Sequence, residues 1–532
     1  MTTTTTTTTR DLPFRDSREG DPGAADDAAR VRRHLFEQGP GKMNVTPPVL
    51  IDMAAPTTSG AVPDLELDRH EPFPALDPDA LAGTYPHLPA VAPASTDRLA
   101  AAVADCFSPR RWELSNAYNE HRAYPSVRSK YPVQAFLVRG GVAWWVDPLR
   151  ERLSRVRGSD LSATVRDGVV LVGRYSDLPG FYRGLRGPLI DCELGIHARA
   201  LTLFLQLHGI GVEQVGCAPG EAATLLAAIG GRDGRLDSVP VLIRTAPPVA
   251  DGSPLADAIA SRSAPPATPR PPLAAGPDAS LEDIAHHNAL VRRATRTVAL
   301  PTTAAPAGHT PGAAALPSWQ QVLDARTSGT MPMGMSGMSG RRQVRPAGFL
   351  ADLVAAGAAD AAAEPAGSAT RLHLCVADVE GVAAGVYEAR EGALVPRVLD
   401  ASVMARLEAV YGYPLAAVNG CAVRRATVVA FFSADVGALA GGAADAHWWQ
   451  AQLMVGWRAL GICLAAAAHG AYARPVRAFD ELNVQRLLGI EGDEVPVLGV
   501  VIGTAAYRSP ALSLHPRRGA TTPLDIPQED LR

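Results

Sequence analysis

Lysine is almost absent from this chain of 532 residues: of its 50 basic residues only Lys42 and Lys130 are lysine, and every other is arginine. No uninterrupted apolar run of roughly 18 residues occurs, so no membrane span is expected. The six cysteines (Cys106, Cys192, Cys217, Cys375, Cys421, Cys463) show no C-x-x-C spacing. That excludes a zinc ribbon or a disulfide framework and suits small buried residues in a reducing cytoplasm. No G-x-G-x-x-G follows a strand pattern, which leaves a dinucleotide-binding Rossmann site unsupported. Met1 followed by Thr2 through Thr9 lacks the basic and apolar regions of a secretory signal. A net charge of −4 and only 5% aromatic residues give no footprint for nucleic acid or a membrane surface.

Against that background Lys130 stands out. It sits directly before Tyr131, at the entrance to a strand pattern, in Arg128-Ser129-Lys130-Tyr131-Pro132-Val133. A bias toward arginine would erase lysine from ordinary surface positions, where the two are equivalent. It would not erase a proton-transfer group, because an ammonium can give up its proton and a guanidinium does not. Chance survival of one lysine is the alternative reading. Lys130 and Tyr131 are the candidate catalytic pair.

The length implies more than one domain. Residues 1–25 read as a disordered Thr-rich tail and 26–97 as a Pro-rich arm over the core. A Pro/Ala-rich linker spans 247–315, interrupted by a short helix-like piece, and separates two comparable regions, 98–246 and 316–508; residues 509–532 form a second tail. The two regions repeat each other. Ala135–Val138 and Gly141–Asp147 match Leu372–Val376 and Gly381–Tyr387. Val169–Val172 matches Val428–Phe432, and both read as central strands. Each is followed by an apolar helix, one carrying Leu194, Ala198, Leu201 and Leu205 and stopping near Gly209, the other running from Trp449 to a stop at Gly461. Each copy closes with a strand, Val239–Ile243 or Val495–Ile502. Five elements agree in order and chemistry, as in an internal duplication.

The ordered set resembles the nitroreductase family, and within it the SagB-type thiazoline/oxazoline dehydrogenases. The second copy opens on Leu316-Pro317-Ser318-Trp319 and Asp324-Ala325-Arg326-Thr327-Ser328-Gly329, similar to the family's Arg-x-Ser opening. Tyr124-Pro125-Ser126 through Tyr131-Pro132-Val133-Gln134 resembles the branch's Pro-Ser to Tyr-Pro-Val-Glu segment, with Gln134 in place of its glutamate. Lys130-Tyr131 fits the adjacent Lys-Tyr pair of that branch. The similarity covers roughly 100–245 and 316–505.

The resemblance implies an α+β chain of two tandem nitroreductase-like domains, each a mostly antiparallel sheet flanked by helices. Together they would form a pseudo-dimer within one polypeptide. It implies FMN as cofactor, with Arg326 and Ser328 on its phosphate and Arg341 and Arg345 as further candidates; a guanidinium fork suits a phosphate. Solvated loop charges are the alternative for these arginines. Implied partners are an azoline-containing precursor peptide of a thiopeptide-like pathway and a cyclodehydratase complex. Copy one lacks a clear Arg-x-Ser and copy two lacks Lys-Tyr, so a single asymmetric flavin site is expected. Lesser candidates are His121, Tyr182, Arg183 and Arg186, with Met331, Met333, Met335 and Met338 as a cap or metal site. The pairs Trp144-Trp145 and Trp448-Trp449 read as core packing. A small-molecule nitroreductase-like oxidoreductase and a flavin-free peptide-binding scaffold remain as competing functions.

Overall fold

The computed structural model describes residues 65–74, 79–92, 96–114, 120–162, 164–217, 219–230, 237–245, 279–293, 298–306, 316–329, 340–358, 369–410, 423–439, 444–507 and 510–514. The expected Thr-rich tail, the arm up to residue 64, the linker at 246–278, Met331 through Met338 and the stretch 359–368 lie outside them. So do Cys421 and the C-terminal residues beyond 514.

In chain order the first half carries β1 (Leu67–Pro72), α1 (Thr96–Phe107), β2 (Arg111–Glu113), β3 (Val133–Arg139), β4 (Val142–Asp147), β5 (Arg152–Val156), β6 (Gly168–Gly173), α2 (Arg186–Leu207), β7 (Val212–Cys217), α3 (Pro219–Ala228) and β8 (Val241–Thr245). Next come α4 (Ala279–Arg293) and β9 (Val298–Leu300). The second half carries α5 (Trp319–Ala325), β10 (Gly340–Arg341), α6 (Ala347–Gly357), β11 (Thr370–Val376), β12 (Gly385–Arg390), β13 (Ala393–Leu399), α7 (Val403–Val410) and β14 (Val428–Asp435). It ends with α8 (Val436–Leu439), α9 (Ala444–Ala468), β15 (Tyr472–Val476), α10 (Glu481–Leu488), β16 (Glu494–Ala505) and β17 (Ala511–Ser513).

The first sheet runs β1-β5-β4-β3-β6-β8-β7-β9. The second runs β10-β16-β14-β11-β12-β13, with β15 also on β16. The inner order β5-β4-β3-β6-β8-β7 is therefore repeated as β13-β12-β11-β14-β16-β15, and the ladders are antiparallel. The central strands β6 and β14 are buried along nearly their whole length, which is why they read as unbroken apolar runs rather than alternating ones.

The halves join through α2 and α9, both sheathed in protein along almost their full length. Helix α9 is long and apolar enough to cross a membrane, yet 94% of its apolar window is buried inside the protein. It is a core helix, apolar all round because it has no wet face. The crossing is a backbone contact. A Cβ added to Gly195 on α2 would lie 2.0 Å from the carbonyl oxygen of Leu453, and one added to Gly456 on α9 would lie 2.0 Å from that of Cys192. The two contacts are reciprocal: each glycine sits three residues beyond the carbonyl that its counterpart meets. Beside them Gln452 donates to Asp191 at 3.2 Å.

The expected helix stop at Gly461 is not made, and α9 continues to Ala468. Gly461 is instead a clearance: a Cβ there would fall 2.2 Å from Nη1 of Arg199 and 2.4 Å from the carbonyl oxygen of Ala356. The segment expected as linker also holds structure, since α4 and β9 bury Ile284, Val291, Val298 and Leu300. Part of the expected arm does too: β1 pairs β5, and Tyr85 stacks edge-on against Trp319 at 4.8 Å.

Replacing Gly456 with alanine should push the helices apart and cost about 3 kcal/mol, the upper range for overpacking. Thermal unfolding measures it, with Gly180→Ala as the control because nothing lies within 4 Å of a Cβ there.

Candidate functional site

Between the halves lies a cleft open to solvent, with a cavity volume of about 180 Å³. The first half supplies Ser126–Ser129, Tyr131, Tyr182 and the start of α2; the second supplies Arg326, Ser328, Gly329 and the end of β15. Leu185, Leu189, Ile196, Val476 and Leu498 make its apolar wall.

Arg326 is positioned by α5. A reciprocal capping box between Ser318 and Gln321 starts that helix, and Arg326 is its C-cap. Arg326 is 2% exposed. Its Nη1 donates to Ser328 Oγ at 3.2 Å and its Nη2 to the carbonyl of Arg122 at 3.1 Å, while Nε has no partner. Burial first, then Arg111, pulls its pKa down to about 10, so it stays cationic at neutral pH. Arg477, just beyond β15, is buried too. Its Nη1 donates to Gln452 Oε1 at 3.3 Å, and Nε and Nη2 have no partner. Two buried cations with unspent donors line one cleft. Such donors are costly unless a ligand accepts them.

The opposite wall is a strained turn. Arg128, Ser129 and Tyr131 take φ values of +50°, +51° and +48°, a region that residues with a Cβ rarely adopt. Ser126 Oγ accepts from the Tyr131 amide at 3.0 Å, and Glu193 accepts from the Val127 amide. The Tyr131 hydroxyl donates to the carbonyl of Glu120 at 2.9 Å and accepts from the Arg122 amide at 3.1 Å. Arg122 covers its ring at 4.1 Å. Burial pushes the phenol pKa up. Tyr131 therefore presents its ring to the cleft while its hydroxyl is engaged with backbone. Lys130 is buried in the same turn, and its own side chain is not among those lining the cleft.

Glu193 on α2 was not singled out for chemistry by the sequence, yet it faces the cleft; its Oε2 makes no hydrogen bond, and His197 Nδ1 stands 3.7 Å from it. Burial raises its carboxyl from 4.5 to about 7, against the lowering effect of the Val127 and Ser126 hydrogen bonds and of Arg122. The adjacent His197 is held neutral, because burial takes its pKa down to about 3. His121 also lines the cleft and is neutral for the same reason, with Arg111 adding to the effect. Tyr182 lines it and accepts from Arg128 Nε at 3.0 Å.

The structure thus brings Tyr131, Arg326 and Ser328 together and leaves Arg341 and Arg345 outside. Arg341 is exposed beside a separate pocket with Arg111 and Thr327. Arg345 donates to the carbonyl of His469 at 2.9 Å and to Thr504 Oγ1 at 2.7 Å, tying α6 to β16. Arg183 and Arg186 meet each other, Arg186 Nε donating to the carbonyl of Arg183 at 3.0 Å. Arg477 and Glu193 had a faint sequence signal at most: an arginine just past a strand, and one of several polar residues in a long, mostly apolar helix.

No family model and no curated protein matches the sequence. Among solved structures the chain is similar to a putative nitroreductase from Anabaena variabilis, with a TM-score of 0.57 and 14% identity over 90% of this chain and 99% of that one. A putative nitroreductase from Ralstonia eutropha aligns with a TM-score of 0.29 and 18% identity, over 38% of this chain and 89% of that one. A chain of the E. coli microcin synthetase McbBCD complex aligns with a TM-score of 0.27 and 13% identity, over 33% of this chain and 69% of that one. The first similarity spans both halves, and the fold is that of a nitroreductase.

Glu193 binds its proton more tightly folded than unfolded, so the stability it contributes is greatest below pH 4.5 and is lost as pH rises to about 7. Glu193→Gln should flatten that decline, by roughly 3 kcal/mol at most. The comparison is the melting temperature of variant and wild type at pH 5 and pH 8.

Proposed function

We propose that the chain is an FMN-dependent dehydrogenase that oxidises thiazolines or oxazolines in a ribosomally made peptide to the aromatic azoles. It would act in the cytoplasm after a cyclodehydratase, with its two halves standing in for the two subunits of a dimer. The observation that carries this reading is the pair of buried, under-satisfied guanidiniums, Arg326 and Arg477, at an apolar-walled cleft between the halves of a nitroreductase fold.

The residues suit FMN. Arg326 with Ser328 provides charge-assisted donors for a phosphate, and Arg477 offers more to a polar edge. Leu185, Leu189, Ile196, Val476 and Leu498 offer apolar surface to a planar ring. Bound there, FMN would supply the hydride acceptor. The chain's own part is positioning and proton handling. Lys130 is the base we assign to the ring proton next to the carbonyl, the more acidic of the two hydrogens lost; it lies buried in the turn behind the wall and must swing toward the cleft to reach that proton. Tyr131 is a positioning residue, because its hydroxyl is committed to Glu120 and Arg122 rather than free to relay a proton. The Lys130-Tyr131 sequence in the turn bordering this wall favours azoline oxidation over reduction of a small nitro compound.

The purified full chain should carry flavin absorbance and remove about 2 Da per ring from an azoline peptide. A colourless chain that binds no added FMN would return the fold to a peptide-binding scaffold. Arg326→Ala should weaken FMN binding about 10- to 100-fold. Lys130→Ala should keep FMN but lose about 100-fold in kcat, and Lys130→Arg should not rescue it, since guanidinium holds its proton. Rescue by arginine would reduce Lys130 to a fixed charge.

A further inference from the structure

Two halves with one topology, crossed at reciprocal glycines, ought to build two clefts. Sheet order locates the second. Strand β7 follows β8 in the first sheet as β15 follows β16 in the second, and both run antiparallel to that neighbour. The end of β7, with Val215, Gly216 and Cys217, therefore stands where the end of β15 stands, and Arg474, Pro475 and Val476 of β15 line the cleft. On the helices, the Gly195–Gly456 equivalence makes Gln450 the counterpart of Leu189 and Met454 the counterpart of Glu193.

Every one of those positions is altered or covered. Strand β9 lies on the three β7 residues, with Leu300 opposite Val215, Ala299 opposite Gly216 and Val298 opposite Cys217. The approach is so close that a Cβ on Gly216 would lie 2.0 Å from the carbonyl oxygen of Val298. Gln450 reaches across and donates to the carbonyl of Ala299 at 2.9 Å. Helix α4 closes the start of α9, where His287 Nδ1 is 3.2 Å from Asp445 Oδ1. Arg199 Nε donates to the carbonyl of Ala304 at 2.9 Å and seals the far side. Where the open cleft has the acid Glu193, the second has buried Met454.

We propose that residues 279–293 and 298–306 form a built-in strap that permanently fills the second, topologically equivalent cleft, so that each chain takes one cofactor. The proposal rests on the flavin reading above for the identity of that cofactor. The strap is anchored by buried apolar side chains and by hydrogen bonds at both ends, and it uses the ladder edge of β7 that a ligand would otherwise face. An edge already paired offers no donors to a ligand and no room for one.

The test combines FMN titration of the full chain with a covalent lock. Val298→Cys places a thiol opposite Cys217 in the β7–β9 ladder, and the double variant Val215→Cys, Leu300→Cys repeats the lock at the neighbouring pair. The expected result is one FMN per wild-type chain, cross-linking under oxidation in both variants, and one FMN per chain after locking. Two FMN per wild-type chain would overturn the proposal. So would a locked chain that binds less than the reduced one, because the strap would then have to leave for binding. Absence of cross-linking in both variants would also overturn it. A chain that binds no FMN, locked or reduced, sinks the flavin reading instead, and cross-linking still decides whether the strap is seated.

Discussion

The structure depends on how closely α2 and α9 approach. At Gly195 and Gly456 backbone meets backbone, with no side chain between the helices. A contact that tight admits almost no sliding, since interiors pack like crystals and any added atom must displace main chain. It sets where the start of α2, with Leu189, Cys192 and Glu193, stands relative to β15 of the other half. The cleft is the gap left between those two surfaces. Neither half has it alone.

Such a gap can hold charge out of water, and this one does so at a cost. Arg326, Arg477 and Glu193 are all buried, and each has a polar atom without a partner. In a finished core that would be a defect worth several kcal/mol. Around a cleft such atoms lie within reach of water or of a ligand. The strained turn from Arg128 to Tyr131 adds to the same account. Its left-handed residues are held by Ser126, Glu193 and the backbone of Glu120 and Arg122, an over-determined arrangement of the kind found where geometry serves chemistry. At the corresponding place beside β7 the same architecture is filled with Leu300, Val298 and Met454.

Parts of this were legible in the residues. The unbroken runs Val169–Val172 and Val428–Phe432 announced buried strands. Their repetition, with a long apolar helix after each, announced two similar halves. The scarcity of lysine pointed to the segment that turned out to be strained and to border the cleft. Arg326 and Ser328 were legible because they sit in a short local motif after a capped helix. Arg341 and Arg345 were not separable from them by type or spacing; only their neighbours His469 and Thr504 show where one of them is spent. Gly461 looked like a helix end because sequence shows a glycine but not the arginine that needs its empty space.

What the sequence determined by itself is local and periodic: which segments are strands, that the halves repeat, and that one lysine stands where arginine is otherwise used. Those follow from properties each residue carries with it, namely propensity, apolar spacing and side-chain chemistry. Only the tertiary structure decided which charges face one another and which of two equivalent clefts stays open. Arg477 and Glu193 are separated by most of the second half in sequence, and become neighbours of one cavity only because two glycines let two helices touch. The strap's helix-like piece shows in the sequence inside a Pro/Ala-rich linker, but its place is set by the edge of β7, which exists only once the first sheet has formed.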